Sequence, residues 1–346
     1  VRAPFPGEMG AIGVARYARD QIGQCGYAQG GTSSFIGFDA LRELTYESES
    51  GVMCGRCSNA CARTVTRFST GASFVTGNRC DRGAVVDVTA AAHRADSAQH
   101  APATDLFKVR RELLFKSYPV DPVRPAREET IGLPRVLEFW DSMPFWSTFL
   151  RALGYPVRLS RSSSHAQLES GLRYVASDTV CLPAKLVHGH VLDLCEQGVD
   201  RILLPHVMHL PPEGADKMSP YTCAIVMGYP MVVRNFQDPA SRYGVVFDTP
   251  VFHWFTEKNR KDQICAWAMT TLDASKEQAE AAFVQAEHAI CGFRTSLTRC
   301  GQEILDDVHA HGGRAVVLAG RPYHTDAFAS HDISTYFSSA GIPVLT

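Results

Sequence analysis

Thr130-Ile-Gly-Leu-Pro-Arg-Val-Leu137 begins a change of rhythm in this chain. Upstream, Pro, Gly, Ser and Arg break the pattern. From here on, short apolar runs alternate with longer amphipathic ones. A turn and strand over 130–137 lead to a helix from Pro144 to Leu153, with Pro144 at its start and Gly154 at its stop. Val157-Arg-Leu159 reads as a second strand, and Ser163 or Ser164 caps a helix that reaches Leu172. Pro183 to Cys195 is a helix ending at Gly198, Asp200-Arg-Ile-Leu-Leu-Pro205 is a buried strand, and Ala224 to Asn235 reads as a helix interrupted at Pro230. Strands and helices alternating at this length predict an α/β fold with a doubly wound parallel sheet.

Downstream, 258–311 is mostly helical. Ile264, Ala268 and Leu272 recur every four residues on one face, and Glu277–Ala289 and Thr295–His311 continue the run. Arg314-Ala-Val-Val-Leu-Ala-Gly320 is a strand ending in a Gly turn. Ile333 to Ala340 is a helix with Gly341 at its C-cap, and Ile342-Pro-Val-Leu345 begins another strand. Ending at Thr346, inside a β-α-β unit, the chain is expected to be an internal fragment of a longer protein.

Upstream the most specific pattern is Cys54-Gly-Arg-Cys57-Ser-Asn-Ala-Cys61, then eighteen residues, then Cys80. Four thiols at this spacing suit either an iron–sulfur cluster or structural zinc. Residues 62–78 alternate as a β-hairpin with Gly71 in its turn, which would carry Cys80 back toward the other three. Arg56, Arg63, Arg67, Arg79 and Arg82 crowd this set. Beside a cluster they would raise its reduction potential; otherwise they form a solvated face. Residues 24–51 read as a linker with one short element near Phe35–Leu44, and 84–128 as a helix followed by an extended connection through Pro119, Pro122 and Pro125. Residues 8–23 read as a helix, with Met9, Ile12, Val14, Ala15, Ala18 and Ile22 packed on a neighbour.

A second set lies in the α/β part. Cys181 precedes the helix at Pro183, Cys223 precedes the helix at Ala224, and His206 follows the strand Ile202–Leu204. All three would sit outside the carboxyl ends of strands, where open α/β sheets place ligands. Helix N-termini there favour thiolates and anions. Lys185 and His188, three apart on one helix, and Arg321 and His324, in the turn Gly320-Arg-Pro-Tyr-His324, are candidate substrate contacts. Cys25, Cys195, Cys265, Cys291 and Cys300 have no partner spacing.

The 346 residues suggest about two domains. Hydrophobic residues at 45% and charged residues at 20% fit an ordinary soluble globular protein, and a net charge of −2 recruits neither nucleic acid nor an anionic membrane. No apolar run is long enough to span a membrane. Eleven cysteines without a secretory leader suggest a reducing, cytoplasmic setting for metal or redox thiols. The phosphate-binding G-x-x-x-x-G-K-[ST], the dinucleotide fingerprint G-x-G-x-x-G and the hydrolase G-x-S-x-G are absent, which disfavours those classes.

Five blocks together resemble the large activase-related proteins of 2-hydroxyacyl-CoA dehydratases, of the CoA-substrate-specific enzyme activase type. They are Cys54–Cys61 through Thr76-Gly-Asn-Arg-Cys80-Asp-Arg-Gly83, Gly132-Leu-Pro-Arg-Val-Leu137, Pro144-Phe-Trp146, Cys181-Leu-Pro-Ala-Lys-Leu-Val-His-Gly-His190, and Gly320-Arg-Pro-Tyr-His324. The resemblance covers most of 8–346. It implies that 1–25 is the last helix of a truncated ATP-dependent activator domain and 26–120 a linker with a small Cys-rich cluster module. It further implies that 121–257 is a dehydratase-subunit-like, Rossmann-like α/β domain, and 258–346 a helical connection and the start of a second α/β domain. ATP and magnesium would then bind upstream. The implied chemistry is ATP-driven electron transfer at low potential. Hydrolysis drives one electron into an enzyme [4Fe-4S] cluster, and the reduced cluster makes a ketyl radical of a CoA thioester, expelling its 2-hydroxyl. Cys181 and Cys223 match two cluster positions of the dehydratase subunits; at the third, where that family has Cys, this chain has His206. The implied partners are the rest of the longer chain, a dehydratase-like enzyme and a CoA thioester, with no nucleic acid or membrane. The other reading of the residues is a non-redox α/β binding or assembly domain with a structural zinc held by four cysteines.

Overall fold

The structure is a computed structural model, and it describes residues 11–17, 37–56, 59–84, 103–177, 179–210 and 221–346. Its strands, in chain order, are β1 (Tyr46–Met53), β2 (Ala62–Phe68), β3 (Ser73–Thr76), β4 (Ile131–Leu133), β5 (Val157–Leu159), β6 (Arg201–Leu203), β7 (His206–His209), β8 (Val246–Asp248), β9 (Val251–His253), β10 (Val316–Val317) and β11 (Val344–Leu345). The chain divides into two units, Val1–Glu49 with Val65–Phe74, and Ser50–Thr64 with Val75–Thr346.

In the first unit a helix runs over 11–17 inside the helix expected at 8–23, whose other residues lie outside the described ones. The short element expected near Phe35–Leu44 is the helix Phe38–Glu43. The hairpin turn is as expected: Gly71 has φ +82°, the left-handed region Gly enters without penalty, and its N–H bonds the Phe68 carbonyl at 2.9 Å. β1 departs from expectation, which makes 24–51 a linker, since the strand takes up residues 46–51 of that stretch. Its polar run Glu47-Ser48-Glu49-Ser50 is exposed throughout and lacks the alternation that marks a half-buried strand, yet it hydrogen-bonds in the order β1-β2-β3.

In the second unit β4, β5, β6 and β8 form a parallel sheet in the order β5-β4-β6-β8. β7 and β9 pair in parallel beyond β6 and β8, and β10 and β11 make a third parallel pair joined through the helix Ile333–Ser339. The protein is therefore a mixed α/β fold built on parallel sheets. β4 is buried at all three residues, as a strand covered on both faces should be. A Cβ on Gly132 would stand 3.1 Å from both Leu194 and Val199, so the helix Leu182–Glu196 lies directly on the sheet.

The core gathers around the helix Phe139–Ala152. Phe145, Trp146 and Phe149 are at most 1% exposed, and Phe145 meets Phe283 of the long helix Lys276–His311 with ring centres 5.4 Å apart. Each such apolar side chain contributes roughly 1.5–3 kcal/mol. Pro144 lies inside the Phe139–Ala152 helix rather than at its start. Proline leaves the carbonyl four residues back without its donor. That carbonyl, Trp140, accepts from Arg110 Nη2 at 3.3 Å, which is why the helix runs on. The helix Ala224–Phe236 likewise continues through Pro230. Residues 258–311 form Glu257–Thr271 and one unbroken helix, Lys276–His311, started by a Ser275/Gln278 capping box and stopped by Gly312 at φ +63°. No helix among the described residues is long and apolar enough to cross a membrane.

Candidate functional site

Strand order β5-β4-β6-β8 reverses direction between β4 and β6, and ligands of open α/β sheets bind beyond the carboxyl ends at such a switch. Cys181 is the N-cap of Leu182–Glu196 and Cys223 the N-cap of Ala224–Phe236. Cys181 is exposed and Cys223 half-buried. Burial works against ionisation of Cys223. The N–H groups of Ile225 and Val226, the Tyr323 hydroxyl and the charge of Arg321 outweigh it, and the thiol sits below the ordinary thiol value. Tyr323 answers in the opposite sense. Burial first, then the neighbouring Cys223 and Cys181, push its hydroxyl up to about 12. Burial first and then Cys181 push Tyr229 up to about 12 as well. Tyr323 thus stands within electrostatic reach of both thiols. A pocket of about 280 Å³ lies alongside, lined by Val180, Ala224, Ile225, Gly228, Tyr229 and Val232 among others.

The other members of this set are placed as follows. His206 is 6% exposed and its Nδ1–H donates to the Met227 carbonyl at 2.6 Å, one helical turn beyond Cys223. That bond commits Nδ1 as a donor, so it is Nε2 that is left to meet a ligand. Arg321 and His324 meet in the turn after β10. Arg321 N–H donates to His324 Nδ1 at 3.1 Å, and burial followed by the Arg321 charge lowers the His324 pKa. Lys185 is half-exposed. His188 is fully enclosed: it donates to Gln237 Oε1 at 2.9 Å, and Gln237 Nε2 donates back to the His188 carbonyl at 2.9 Å. Its ring ties two helices together through Nδ1, while Nε2 is buried without a hydrogen-bond partner among the described residues. Tyr323 and Tyr229 were not singled out in the sequence. Tyr323 had a signal, its place in the Gly-Arg-Pro-Tyr-His turn; Tyr229 had none.

In the four-cysteine set, Cys57 lies outside the described residues. Cys54 is buried, and its N–H bonds the Cys61 carbonyl at 2.8 Å. A Cβ on Gly83 would stand 3.8 Å from Cys54 Sγ, and Gly83 N–H bonds the Cys80 carbonyl at 3.0 Å. The loops bearing Cys54, Cys61 and Cys80 therefore meet at Gly83. Two of the expected arginines clip them together: Arg63 donates to the Gly83 carbonyl at 3.0 Å and Arg82 to the Arg56 carbonyl at 3.0 Å. Arg67, by contrast, pairs with Glu49 at 3.6 Å. Among the described residues, no three His, Cys, Asp or Glu side chains are arranged to share a metal ion. The donor chemistry of the four-thiol set suits a cluster or zinc. The second set offers two thiols and one imidazole nitrogen.

The family model described as the CoA enzyme activase uncharacterised domain matches residues 130–346. No curated protein and no solved structure matches the chain.

Proposed function

We infer, for a chain that belongs to the family of the CoA enzyme activase uncharacterised domain, an activator-related role in low-potential electron transfer to a 2-hydroxyacyl-CoA dehydratase-type system. The observation that carries this reading is Cys223, an acidified thiol at a helix start between the Tyr323 hydroxyl and Arg321, with Cys181 at the neighbouring helix start and an apolar pocket alongside. On this reading Cys54, Cys57, Cys61 and Cys80 hold a [4Fe-4S] cluster, which supplies one-electron transfer when bound. Arg63 and Arg82 hold the thiol loops in register. Cys181, Cys223 and the open Nε2 of His206 line the second site. Lys185, Arg321 and His324 offer charge and hydrogen bonds to a thioester or its phosphates, and the apolar pocket takes the acyl body.

The test is iron and acid-labile sulfide analysis, with visible and EPR spectra, on protein purified without oxygen, beside Cys57→Ser and Cys223→Ser. About four irons per chain, lost in Cys57→Ser, support the reading; about eight, halved in Cys223→Ser, add a cluster at the second site. One zinc and no iron would sink it, leaving the four thiols as a structural clip.

A further inference from the structure

A second cavity, of about 470 Å³, stands apart from the thiols, in the volume range of about 300–1,000 Å³ typical of small-molecule sites. Four chain segments close around it: the helix Leu106–Phe115 and Lys116 after it, the loop after β4 with the first turn of the helix Phe139–Ala152, the loop after β5, and the segment carrying Asp326 and Phe328. Three cations line it, Arg111, Lys116 and Arg135. Their hydrogen bonds and ring contacts go to neutral groups, while the charge of Asp326 acts on Arg111 and Arg135 and that of Asp193 on Arg135. Arg111 Nη1 donates to the Thr325 carbonyl at 2.9 Å, Lys116 Nζ stands 4.7 Å from the Tyr118 ring, and Arg135 donates to Ser162 Oγ at 3.1 Å while stacked 4.4 Å over Phe115. Arg135 Nε is buried with no acceptor.

Two carboxylates share the cavity, Glu112 and Asp326. Asp326 is 5% exposed and is occupied by its own hydrogen bonds. It accepts from Ser163 Oγ, and from Phe328 N–H at 2.8 Å and Ala329 N–H at 3.4 Å. Because Ser163 spends its hydrogen on Asp326, it accepts from His190 Nε2–H at 2.9 Å. His190 Nδ1 in turn accepts from Ser160 Oγ at 2.7 Å. This polarity runs opposite to that of a hydrolytic triad, so Ser163 is a fixed wall and no nucleophile.

We propose that this cavity binds a small organic anion, with its carboxylate or phosphate held by Arg111, Lys116 and Arg135 and its apolar body resting against the wall that Phe115 and Trp140 form edge to face, with ring centres 5.0 Å apart. The apolar body is argued from this aromatic wall, and the single anionic head from an excess of one positive charge among the five lining ionic groups.

The probe is phenyl phosphate, titrated into the full chain by calorimetry, with inorganic phosphate and phenol as its two halves. Phenyl phosphate is expected to bind at least about tenfold more tightly than either half. Lys116→Gln, an exposed substitution that leaves the core intact, should weaken it about two- to fivefold. Arg111→Gln should weaken it about tenfold, and Asp326→Asn should tighten it. Equal affinity for phenyl phosphate and phosphate, or affinity unmoved in both Lys116→Gln and Arg111→Gln, overturns the site. Neither outcome depends on iron, so this test and that of the thiol sets fail separately.

Discussion

Gly189→Ala should destabilise this protein more than most surface-to-core changes of one methyl. Gly189 lies mid-helix in Leu182–Glu196, and a Cβ there would stand 2.0 Å from the Gln167 carbonyl oxygen. Gly171 lies across the same crossing, where a Cβ would stand 2.5 Å from the Gly189 nitrogen. The two helices therefore touch backbone to backbone, which glycine alone permits. From 2.0 Å to the 3.4 Å of an ordinary contact the helices must part by about 1.4 Å. The atom met is main chain and cannot swing aside, so the overpacking cost lies near the top of its usual range, about 3 kcal/mol. Parting them also loosens Gln167 from His190, now 3.2 Å apart, at about 1 kcal/mol. Alanine's better helix propensity returns about 1 kcal/mol. The net expectation is a loss of about 3 kcal/mol in urea unfolding followed by tryptophan fluorescence. Gly171→Ala added to Gly189→Ala should cost less than it does alone, because the crossing has already opened, with a coupling of about 1–2 kcal/mol. A loss under about 1 kcal/mol for Gly189→Ala, or full additivity of the pair, would refute the backbone contact.

Two further expectations concern titrating groups. At pH 7.5, iodoacetamide with peptide mapping should label Cys223 well before Cys195, whose thiol burial pushes up to about 12, and before Cys265, which burial also raises. Tyr323→Phe should slow that labelling, and equal rates at all three thiols would contradict the site electrostatics. Burial first, and then Arg135, hold folded His190 near about 3 against an ordinary 6.5. The unfolded chain takes up that proton through the window and the folded chain does not. The stability in question is thus complete above pH 6.5 and is lost by about 1.4 kcal/mol per unit as pH falls toward 3. Glu138, pushed up to about 7 by burial, runs the other way above its ordinary 4.5, so the useful comparison is with His190→Asn. Between pH 6 and pH 4 the wild type should lose about 2–3 kcal/mol more than the variant in urea titrations. Parallel curves would show that His190 is not held neutral.

The parallel sheet was readable because β4, β5 and β6 are short apolar runs set between capped helices, and Ser164, Gly198 and Gly341 mark ends that the structure keeps. What failed to read was decided by distant partners. Pro144 looked like a helix start because nothing nearby says that Arg110 will satisfy the carbonyl it frees. β1 looked like linker because its residues are polar on both faces, and only pairing with β2 makes it a strand. At the candidate site, Cys181 and Cys223 were placed at helix starts by the Pro and Ala that follow them. Tyr323 comes to Cys223 from about a hundred residues along the chain, and no local pattern records that approach. The enclosure of His188 by Gln237 is equally invisible, since a histidine three residues from a lysine looks the same exposed or buried.

Residues 321–332 were met above as a turn beside the thiols and as a wall of the anion cavity. The same twelve residues also reach the four-cysteine loops, through the side-chain contact of His331 with Asn59 and the His331 carbonyl accepting from Arg82 at 3.5 Å. One short strip of backbone is thus the shared rib of three chemical neighbourhoods. At its end His331 and Asp332 both hold positive φ, at 54° and 53°, a conformation that costs roughly 1–2 kcal/mol for a residue with a side chain. Whatever braces the rib at one neighbourhood helps to keep those two residues in place for the other two. A substitution here is consequently a poor way to assign a role to any single neighbourhood and a good way to ask whether the three respond together.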